Sequence, residues 1–558
     1  MNQPEPQSLP FPTLMHDIEH GIVKIPQFQR DFVWGKDKSA RLLDSILKGY
    51  PIGTFILWKT KELLRTVRNL GNATLPDTPP GDFVQYILDG QQRLTSLFAS
   101  VKGLKVKREE REDDFAKMFV DLDAREDQQI VVIDTTGKNP EAVVRVIDLV
   151  NQDFTFFAAF PKKYYPKLND YKTHLESYAF SVVLIKERSI DVATEIFTRL
   201  NVSGKPLSVF EIMVAKTFDT KRDFDLAEKH DELAAALREV DYDTVPPAVI
   251  LQAVSGVLVK ECSSKEILKL DKQKFIDAWP RTVEAIYRAV EYFRNFHRVP
   301  VSRLLPYNSL LVPFTYFFYH HPDKPVGEQQ KYLQDFFWRS SLSGRYSSGA
   351  EGKLAQDLKR VDEILAGKLP KYDYAVDTSA EFIRKNGWFS AGRSFVKAIL
   401  CLLAYHQPKS FIDHSIVRIS NDWLKQANSK NYHHFFPQAY MKKHPSDNGL
   451  PVNHVANITI VDEFLNKRQI RDLPPSKYML TFKKKNPDLR ATMDTHLIDL
   501  DRYGVWDDDY ERFFKMRCRV LSKELAKRVI PQEIDERGQE PSVDDYEDLE
   551  SEGAEPQP

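Results

Sequence analysis

The residues best suited to chemistry lie in one short segment and at two positions after it. His433 and His434 are adjacent, Pro437 stands three places after His434, and Asn457 and Asn466 follow nine residues apart. A neutral imidazole can take a proton from water near pH 7, and a second group can hold a divalent ion that draws charge from a phosphate. The pattern therefore indicates metal-dependent cleavage of DNA. The alternative is a buried aromatic strand, since aromatic residues flank both histidines.

A second set of residues, Asp89-Gly90-Gln91-Gln92-Arg93, lies where a buried strand is expected to turn into a helix. The amino end of a helix presents N–H groups and a positive dipole end, which attract phosphate. Glycine allows close approach to the backbone, and arginine can grip phosphate oxygens with two donors. The alternative is a structural strand–helix turn with a surface arginine. No Gly-x-x-x-x-Gly-Lys-[Ser/Thr] occurs, so an ordinary P-loop ATPase is excluded.

The elements that must position these residues change along the chain. The first part reads as α/β, and runs of apolar residues predict strands at 54–58, 83–88, 119–122, 130–133 and 180–185. Ser208 and Glu211 have the spacing of a capping box that opens a helix. From about Thr217 to Tyr405 the pattern is helical, and Pro280 is expected to start one helix. Signals between 422 and 480 are short and polar, and Tyr510–Val529 predicts a closing helix.

Composition describes an ordinary globular protein of two to four domains, since 558 residues include 42% hydrophobic and 28% charged residues. The net charge of −1 hides an asymmetry: Pro531–Pro558 holds eleven acidic residues and one basic residue, which leaves +9 on the rest. A moderately basic body is compatible with nucleic-acid binding. The acidic end is expected to be disordered and, in the simplest case, only to aid solubility.

Three features predict a cytoplasmic location. Cys262, Cys401 and Cys518 are far apart and odd in number, which favours free thiols in a reducing compartment. The first residues lack the basic and apolar regions of a signal peptide. The longest apolar stretches are too short to span a bilayer, so no membrane partner is expected.

The histidine–asparagine pattern resembles the His-Me finger (HNH, ββα-metal) nucleases. The resemblance implies that His433 is a metal ligand, His434 the general base, Asn457 a brace for the loop and Asn466, on the finger's helix, the second ligand. Many family members have aspartate where this chain has His433, so the choice among Mg, Mn or Ni as the divalent cation stays open. No Cys-x-x-Cys pair flanks the finger, so a structural zinc is not expected.

The first half of the chain resembles the ParB/sulfiredoxin-like domain of GmrSD-type (SspE/BrxU-like) modification-dependent restriction enzymes. The motifs are Ile25-Pro26-x-Phe28-Gln29-Arg30 with Trp34, Leu88–Arg93, and Ile196–Asn201 with Gly204, in that order. The resemblance implies that Asp89, Gly90, Gln91, Gln92 and Arg93 bind a nucleoside triphosphate of unknown base and help to hydrolyse it. Arg30 and Asn201 are plausible further contributors. The stretch Phe336–Leu358 also resembles the helical connector of that family.

Together these features predict an α+β multidomain protein. We expect a ParB/sulfiredoxin-like α/β domain at 1–216, an α-helical connector at 217–405, a ββα-metal (HNH) finger embedded in helices at 406–530, and a disordered acidic tail at 531–558. The resemblance implies a nucleotide-regulated, divalent-metal-dependent endonuclease of phage defence that acts on double-stranded, modified DNA. A homo-oligomer is a further expectation. The alternative is a non-cleaving, nucleotide-gated, ParB-like DNA-binding protein.

One aromatic cluster has two interpretations. Its members are Phe154, Phe156, Phe157, Phe160, Tyr164 and Tyr165, with Lys162, Lys163 and Lys167 nearby. Such a cluster can stack a flipped or modified base and hold its backbone. Burial of the same rings beneath a charged loop is the simpler interpretation.

Overall fold

The computed structural model describes most of the chain. The described residues are 4–26, 32–61, 73–79, 81–107, 112–125, 127–186, 208–219, 221–421, 432–446, 448–461 and 472–536, with a few further positions between 64 and 70, between 192 and 199, and residue 470. The chain divides into two compact units, Met1–Ala227 and Glu228–Pro558.

The N-terminal unit is built on a mixed five-stranded sheet. Its strands are β1 (Glu5–Pro10), β2 (Val23–Lys24), β3 (Phe55–Thr60), β6 (Val84–Asp89) and β12 (Ala179–Lys186), in the order β1-β12-β3-β6-β2. β12 runs parallel to β3, whereas β3 and β6 are antiparallel with an irregularity between Ile56 and Leu57. The predicted strands at 54–58, 83–88 and 180–185 are therefore confirmed, with ends shifted by one or two residues.

The central strands β3 and β6 are covered on both faces. Phe55, Leu57 and Ile87 belong to a large apolar core that also includes residues of the helices on that side. Trp58 and Tyr86 belong to a second core on the other face. A strand that is covered on both faces reads as a continuous apolar run instead of an alternating one, which is why the sequence predicted these strands.

Smaller sheets and helices complete this unit. Three-stranded pairing joins β9 (Phe119–Asp121), β10 (Val131–Val132) and β11 (Val143–Arg145), and two hairpins pair β4 (Asn69–Leu70) with β5 (Ala73–Thr74) and β7 (Lys105–Lys107) with β8 (Glu112–Asp114). The helices are α1 (Phe11–Glu19), α2 (Lys36–Leu47), α3 (Gln91–Lys102), α4 (Val146–Asn151), α5 (Phe154–Phe157), α6 (Tyr165–Ser177) and α7 (Val209–Thr217). The capping box of α7 is confirmed, since Glu211 N donates to Ser208 Oγ and Ser208 N donates to Glu211 Oε2.

The C-terminal unit is mainly helical. Its helices are α8 (Leu226–Glu239), α9 (Pro247–Val259), α10 (Ser264–Lys269), α11 (Lys272–Asn295), α12 (Leu311–His320), α13 (Gly327–Leu342), α14 (Ala350–Leu365), α15 (Ala380–Asn386), α16 (Ser394–Tyr405), α17 (Gln438–Lys443), α18 (Pro475–Lys485), α19 (Leu489–Asp494), α20 (Tyr510–Ala526) and α21 (Glu533–Glu536). The antiparallel strands β13 (Tyr432–His434) and β14 (Ile458–Ile460) pair among them. No helix in the described ranges is long and apolar enough to cross a membrane.

Two expectations need correction here. Pro280 lies inside α11 and does not start it, because the helix buries Phe275 and Trp279 in its first turns and begins at Lys272. The predicted tail boundary at 531 is also wrong, because α21 is ordered: Asp535 binds the fully buried Arg339 through both carboxylate oxygens at 2.9 and 2.6 Å.

Candidate functional site

The strand pair β13–β14 positions both histidines of the sequence pattern. His433 lies opposite Thr459, and His434 lies opposite Ile458. Successive side chains of a strand point to opposite faces. The structure therefore places the two imidazoles on different sides of the strand pair.

His434 is half-buried and faces a small polar group of side chains. Its Nε2 lies 3.0 Å from Asn453 Oδ1 and 3.2 Å from Gln438 Nε2, and the Phe389 ring packs with its centroid 6.3 Å from that of the imidazole. Burial lowers the pKa of His434, and the hydrogen bond with Asn453 opposes this more weakly. The side chain is thus predominantly neutral at pH 7, as a general base requires.

The backbone at Phe389 determines which nitrogen of His434 can act. Asn453 Nδ2 donates to Phe389 O at 3.1 Å, and Phe389 N donates to Asn453 O at 3.1 Å. Because the amide nitrogen of Asn453 is bound to a carbonyl, its oxygen must face His434 as an acceptor. Nε2 of His434 therefore carries the hydrogen, Nδ1 carries the lone pair, and Gln438 must present its own amide oxygen.

His433 has a different environment. Its side chain is 2% exposed, and the rings of Phe411, Phe435 and Tyr478 surround it with centroids 6.0–6.5 Å away. Histidines buried in this way usually contribute to packing as well as to any chemistry. The structure does not bring His433 to the side of the strand pair that His434 faces.

Asn457 makes the contacts of a loop brace. It is fully buried, its Nδ2 donates to Phe436 O and Val452 O at 3.0 Å each, and its Oδ1 accepts from Phe436 N at 2.9 Å. All polar atoms of this amide are thus bound to backbone groups. The bonds tie the turn after His434 to the segment that carries Asn453.

Arg517 of α20 binds backbone carbonyls of the same region, and the sequence analysis did not predict this role. Its guanidinium is fully buried and donates to four carbonyls: Ala456 O and Ile458 O at 3.1 Å, His496 O at 2.7 Å and Leu497 O at 3.2 Å. Burial lowers the pKa of Arg517 to about 10, so it stays charged at neutral pH. Arg517 lies at helical spacing from the apolar residues Phe513, Phe514 and Leu521, which predicts its burial, but nothing in the sequence identifies the carbonyls that it binds.

The described residues do not supply a complete metal site. No group of three or more His, Cys, Asp or Glu side chains suited to a metal ion occurs among them. Asn466, the second expected ligand, lies outside the described residues. His433 and His434 also face opposite sides, so the expected donor set is not assembled in the part of the chain that the structure describes.

The turn from β6 into α3 contains the predicted phosphate site. Gly90 is the N-cap of α3 with φ +93°, and a Cβ there would lie 2.4 Å from Phe55 Cδ1. Glycine is therefore required both by the backbone conformation and by the packing. No side chain caps the amino end of α3, so no side-chain acceptor at the N-cap occupies the N–H groups of its first turn, which form the positive end of the helix dipole.

Arg93 is bound within the protein. Nη1 donates to Ile52 O at 2.7 Å, and Nη2 donates to Thr54 O at 3.0 Å and to Asp89 Oδ2 at 3.1 Å. Gln92 Oε1 accepts from the N–H groups of Val33 and Trp34, at 2.9 and 3.3 Å. These contacts tie the turn to the loop before β3 and to the segment before α2. Arg30 and Asn201 lie outside the described residues.

Two comparisons bear on this arrangement. Residues 12–218 match the family model of the GmrSD restriction endonuclease N-terminal domain. The chain is also similar to an uncharacterized protein of Methanocaldococcus jannaschii, at 22% identity over 599 aligned positions that cover 92% of this chain and 98% of the relative. That similarity extends over both units. The resemblance of the first half of the sequence to GmrSD-type restriction enzymes is therefore supported: residues 12–218 are similar to the N-terminal domain of the GmrSD restriction endonucleases.

Proposed function

We propose that this protein is a nucleotide-regulated, divalent-metal-dependent DNA endonuclease of phage defence that cuts modified DNA. The observation that carries the proposal is the environment of His434: a half-buried imidazole whose pKa burial lowers and whose tautomer Asn453 fixes. The GmrSD-type N-terminal domain in the same chain supports a role in restriction.

In the proposed reaction, Nδ1 of His434 takes a proton from a water molecule. The water oxygen forms a bond to phosphorus, the bond between phosphorus and the 3′ oxygen breaks, and that oxygen takes a proton from solvent. Asn453 holds the imidazole in the acting tautomer, because it accepts the hydrogen of Nε2. Asn457 and Arg517 keep the two backbone segments of the site in register.

A divalent ion, when bound, would stabilise the charge that develops on the phosphate. The resemblance to the His-Me finger nucleases implies that His433 and Asn466 would hold it. Because the described residues do not assemble that donor set, no step above depends on the ion. The requirement for Mg, Mn or Ni stays a prediction that a metal titration tests.

The N-terminal domain is proposed to bind a nucleoside triphosphate at the amino end of α3. Asp89, Gly90, Gln91, Gln92 and Arg93 would form the core of this site. Arg93 would have to leave the carbonyls of the loop before β3 to reach a phosphate, so nucleotide binding would loosen that loop. This gives the bound nucleotide a physical means of changing the domain.

The nucleotide state is further proposed to control cutting, because an unregulated nuclease would attack the host's own DNA. Coupling between sites is commonly about 1–3 kcal/mol, or about 5- to 150-fold in affinity. Cleavage of unmodified DNA at high protein concentration would therefore persist. Equal cleavage rates with and without every triphosphate, on modified and plain DNA alike, would show independent domains.

The decisive experiment compares His434→Ala with His444→Ala, an exposed histidine of the same unit. Each protein is incubated with duplex DNA, with and without 5-hydroxymethylcytosine, in the presence of each divalent ion and triphosphate. Loss of a general base lowers the rate by about 10²- to 10⁴-fold, so His434→Ala should abolish cleavage and keep nucleotide binding. Nucleotide-dependent DNA binding by wild type without any cleavage would favour the non-cleaving alternative.

A further inference from the structure

The N-terminal unit contains a cavity of about 370 Å³ that no part of the proposed reaction uses. Three phenyl rings contribute to its wall, Phe119 of β9, Phe156 of α5 and Phe160 just after α5. All three are half-buried, whereas the neighbouring Phe157 and Tyr164 are in the core. The structure thus divides the aromatic cluster into rings that pack inward and rings that face this cavity, here called the aromatic cavity.

The rings of the aromatic cavity suit a flat ligand. Phe156 and Phe160 lie 5.8 Å apart at an interplanar angle of 62°. Phe119 projects from the same face of its sheet as Arg145, its partner in the antiparallel register. Rings presented from a sheet and from a facing helix can stack a planar heterocycle, and such stacking accepts any base because every base has a π face.

The edge of the small sheet adds hydrogen-bonding groups to the wall. Among the residues that the structure describes, β11 pairs with β9 alone, and Leu122 N donates to Ala142 O while Val146 N donates to Met118 O. Backbone groups alternate in direction along a strand, so the peptide groups of Val143 and Arg145 point away from β9. Both residues line the aromatic cavity. Donors and acceptors at such an edge match the polar edge of a nucleobase.

The charges around the cavity argue against a free triphosphate as the ligand. Lys138 Nζ pairs with Asp121 at 2.7 Å, and Arg145 donates to both oxygens of Asp148 at 2.6 and 3.0 Å. Each cation that lines the cavity is therefore balanced by a carboxylate. A group with several negative charges needs cations that are not balanced in this way.

Exposed lysines adjoin Tyr164, whose hydroxyl is bonded to a residue next to the cavity lining. Lys162 and Lys163 are exposed, and Lys163 Nζ is 4.5 Å from the centroid of the Tyr164 ring. The Tyr164 hydroxyl accepts from Asn139 Nδ2 at 3.3 Å, and Asn139 adjoins the cavity residues Lys138 and Pro140. An extruded base would fill the aromatic cavity while its backbone phosphates lie near these lysines.

We propose that the aromatic cavity binds a nucleobase extruded from duplex DNA. The inference rests on the proposed function only in taking DNA as the ligand, and it does not require cleavage. Extrusion costs least for a base that is already unpaired. A duplex with one unpaired base should therefore bind more tightly than a fully paired one, and the gain should depend on the phenyl rings.

The test measures equilibrium binding of the full chain in EDTA, so that no cutting occurs. The probes are two duplexes that differ only in whether a single 2-aminopurine is paired with thymine or stands opposite an abasic site. The variants are Phe156→Leu and Phe160→Leu, and the matched control is Phe83→Leu, a 37% exposed phenylalanine of the same unit outside the cavity. Circular dichroism and thermal melting confirm that each variant is folded.

Loss of one stacking ring should weaken binding of the unpaired duplex about 5- to 150-fold. Stacking of 2-aminopurine on the phenyl rings should quench its fluorescence in the wild-type complex, and either cavity variant should reverse that quenching. Phe83→Leu should behave as wild type in both measurements. Equal wild-type affinity for both duplexes would overturn the proposal, as would unchanged affinity in both cavity variants. Displacement of the 2-aminopurine signal by micromolar free triphosphate would assign the cavity to a free nucleotide instead. None of these outcomes depends on whether His434 cuts DNA.

Discussion

Asn453→Asp should raise the acidic midpoint of the pH–rate profile for DNA cleavage. In the protein, a neutral amide oxygen lies 3.0 Å from Nε2 of His434. The aspartate would place a negative charge there, accept the same hydrogen and keep the same tautomer. Since a nearby negative charge stabilises the imidazolium, it would raise the pKa of His434 and leave Nδ1 protonated at neutral pH.

The size of the effect follows from that distance. Two unit charges about 4 Å apart attract by about 4 kcal/mol at an effective dielectric constant of about 20, and about 1.36 kcal/mol corresponds to one pH unit. His434 is only half-buried, so water screens part of this attraction. We expect the acidic midpoint of kcat to move upward by about 1–2 pH units.

The assay is a pH profile of kcat between pH 5 and 9.5 on saturating DNA. Wild type should have its acidic midpoint below 6.5, because burial lowers the pKa of His434. Asn453→Asp should recover wild-type rates at high pH, whereas Asn453→Ala should be slow throughout. The matched control is Asn448→Asp, an exposed position in the same loop. An unchanged midpoint in Asn453→Asp would refute the assignment of His434 as the general base that titrates in this profile.

Three further predictions concern stability and the nucleotide. Arg93→Ala removes three hydrogen bonds. It should lower the free energy of unfolding by about 2–4 kcal/mol without nucleotide, which thermal melting measures, and weaken triphosphate binding about 10- to 100-fold, which a titration measures. Unchanged triphosphate binding would show that the role of this arginine is purely structural. Gly387→Ala would place a Cβ 2.5 Å from the His454 ring and should cost about 1–3 kcal/mol in urea unfolding. Gly352→Ala, with nothing within 4 Å, should be neutral or stabilising. Burial lowers the pKa of His297 to about 3, so the free energy of unfolding of the wild type decreases as pH falls below about 6.5. His297→Phe should reduce that decrease. The same dependence of unfolding free energy on pH in variant and wild type, between about pH 7 and 5, would contradict this prediction.

Local patterns in the sequence predicted local structure well. The capping box at Ser208 and Glu211 involves residues three apart, so its geometry follows from spacing alone. Strands covered on both faces were predicted from apolar runs. Pro280 was assigned wrongly, because burial of Phe275 and Trp279 outweighs the one backbone hydrogen bond that proline removes from α11.

The candidate site was predictable in its residue types and not in its partners. The side chain of Asn453 is oriented by its hydrogen bond to the carbonyl of Phe389, which is 64 residues away. Nothing in the sequence around either residue predicts that contact. The turn at Asp89–Arg93 was located correctly, but the carbonyls that hold Arg93 belong to the loop before β3, about 40 residues earlier. Spacing indicates which atoms can react; tertiary contacts determine which way they face.

The ion pair between Arg339 and Asp535 has a consequence for synthesis of the protein. Arg339 is fully buried in α13, and it pairs with Asp335, four residues earlier in the same helix, and with Asp535, 196 residues later in the chain. A ribosome adds about 5–20 residues per second, so Asp535 is synthesised at least about ten seconds after Arg339. A buried guanidinium that lacks part of its acceptors is costly. We therefore expect the core around Arg339 to be complete only after Asp535 has been synthesised.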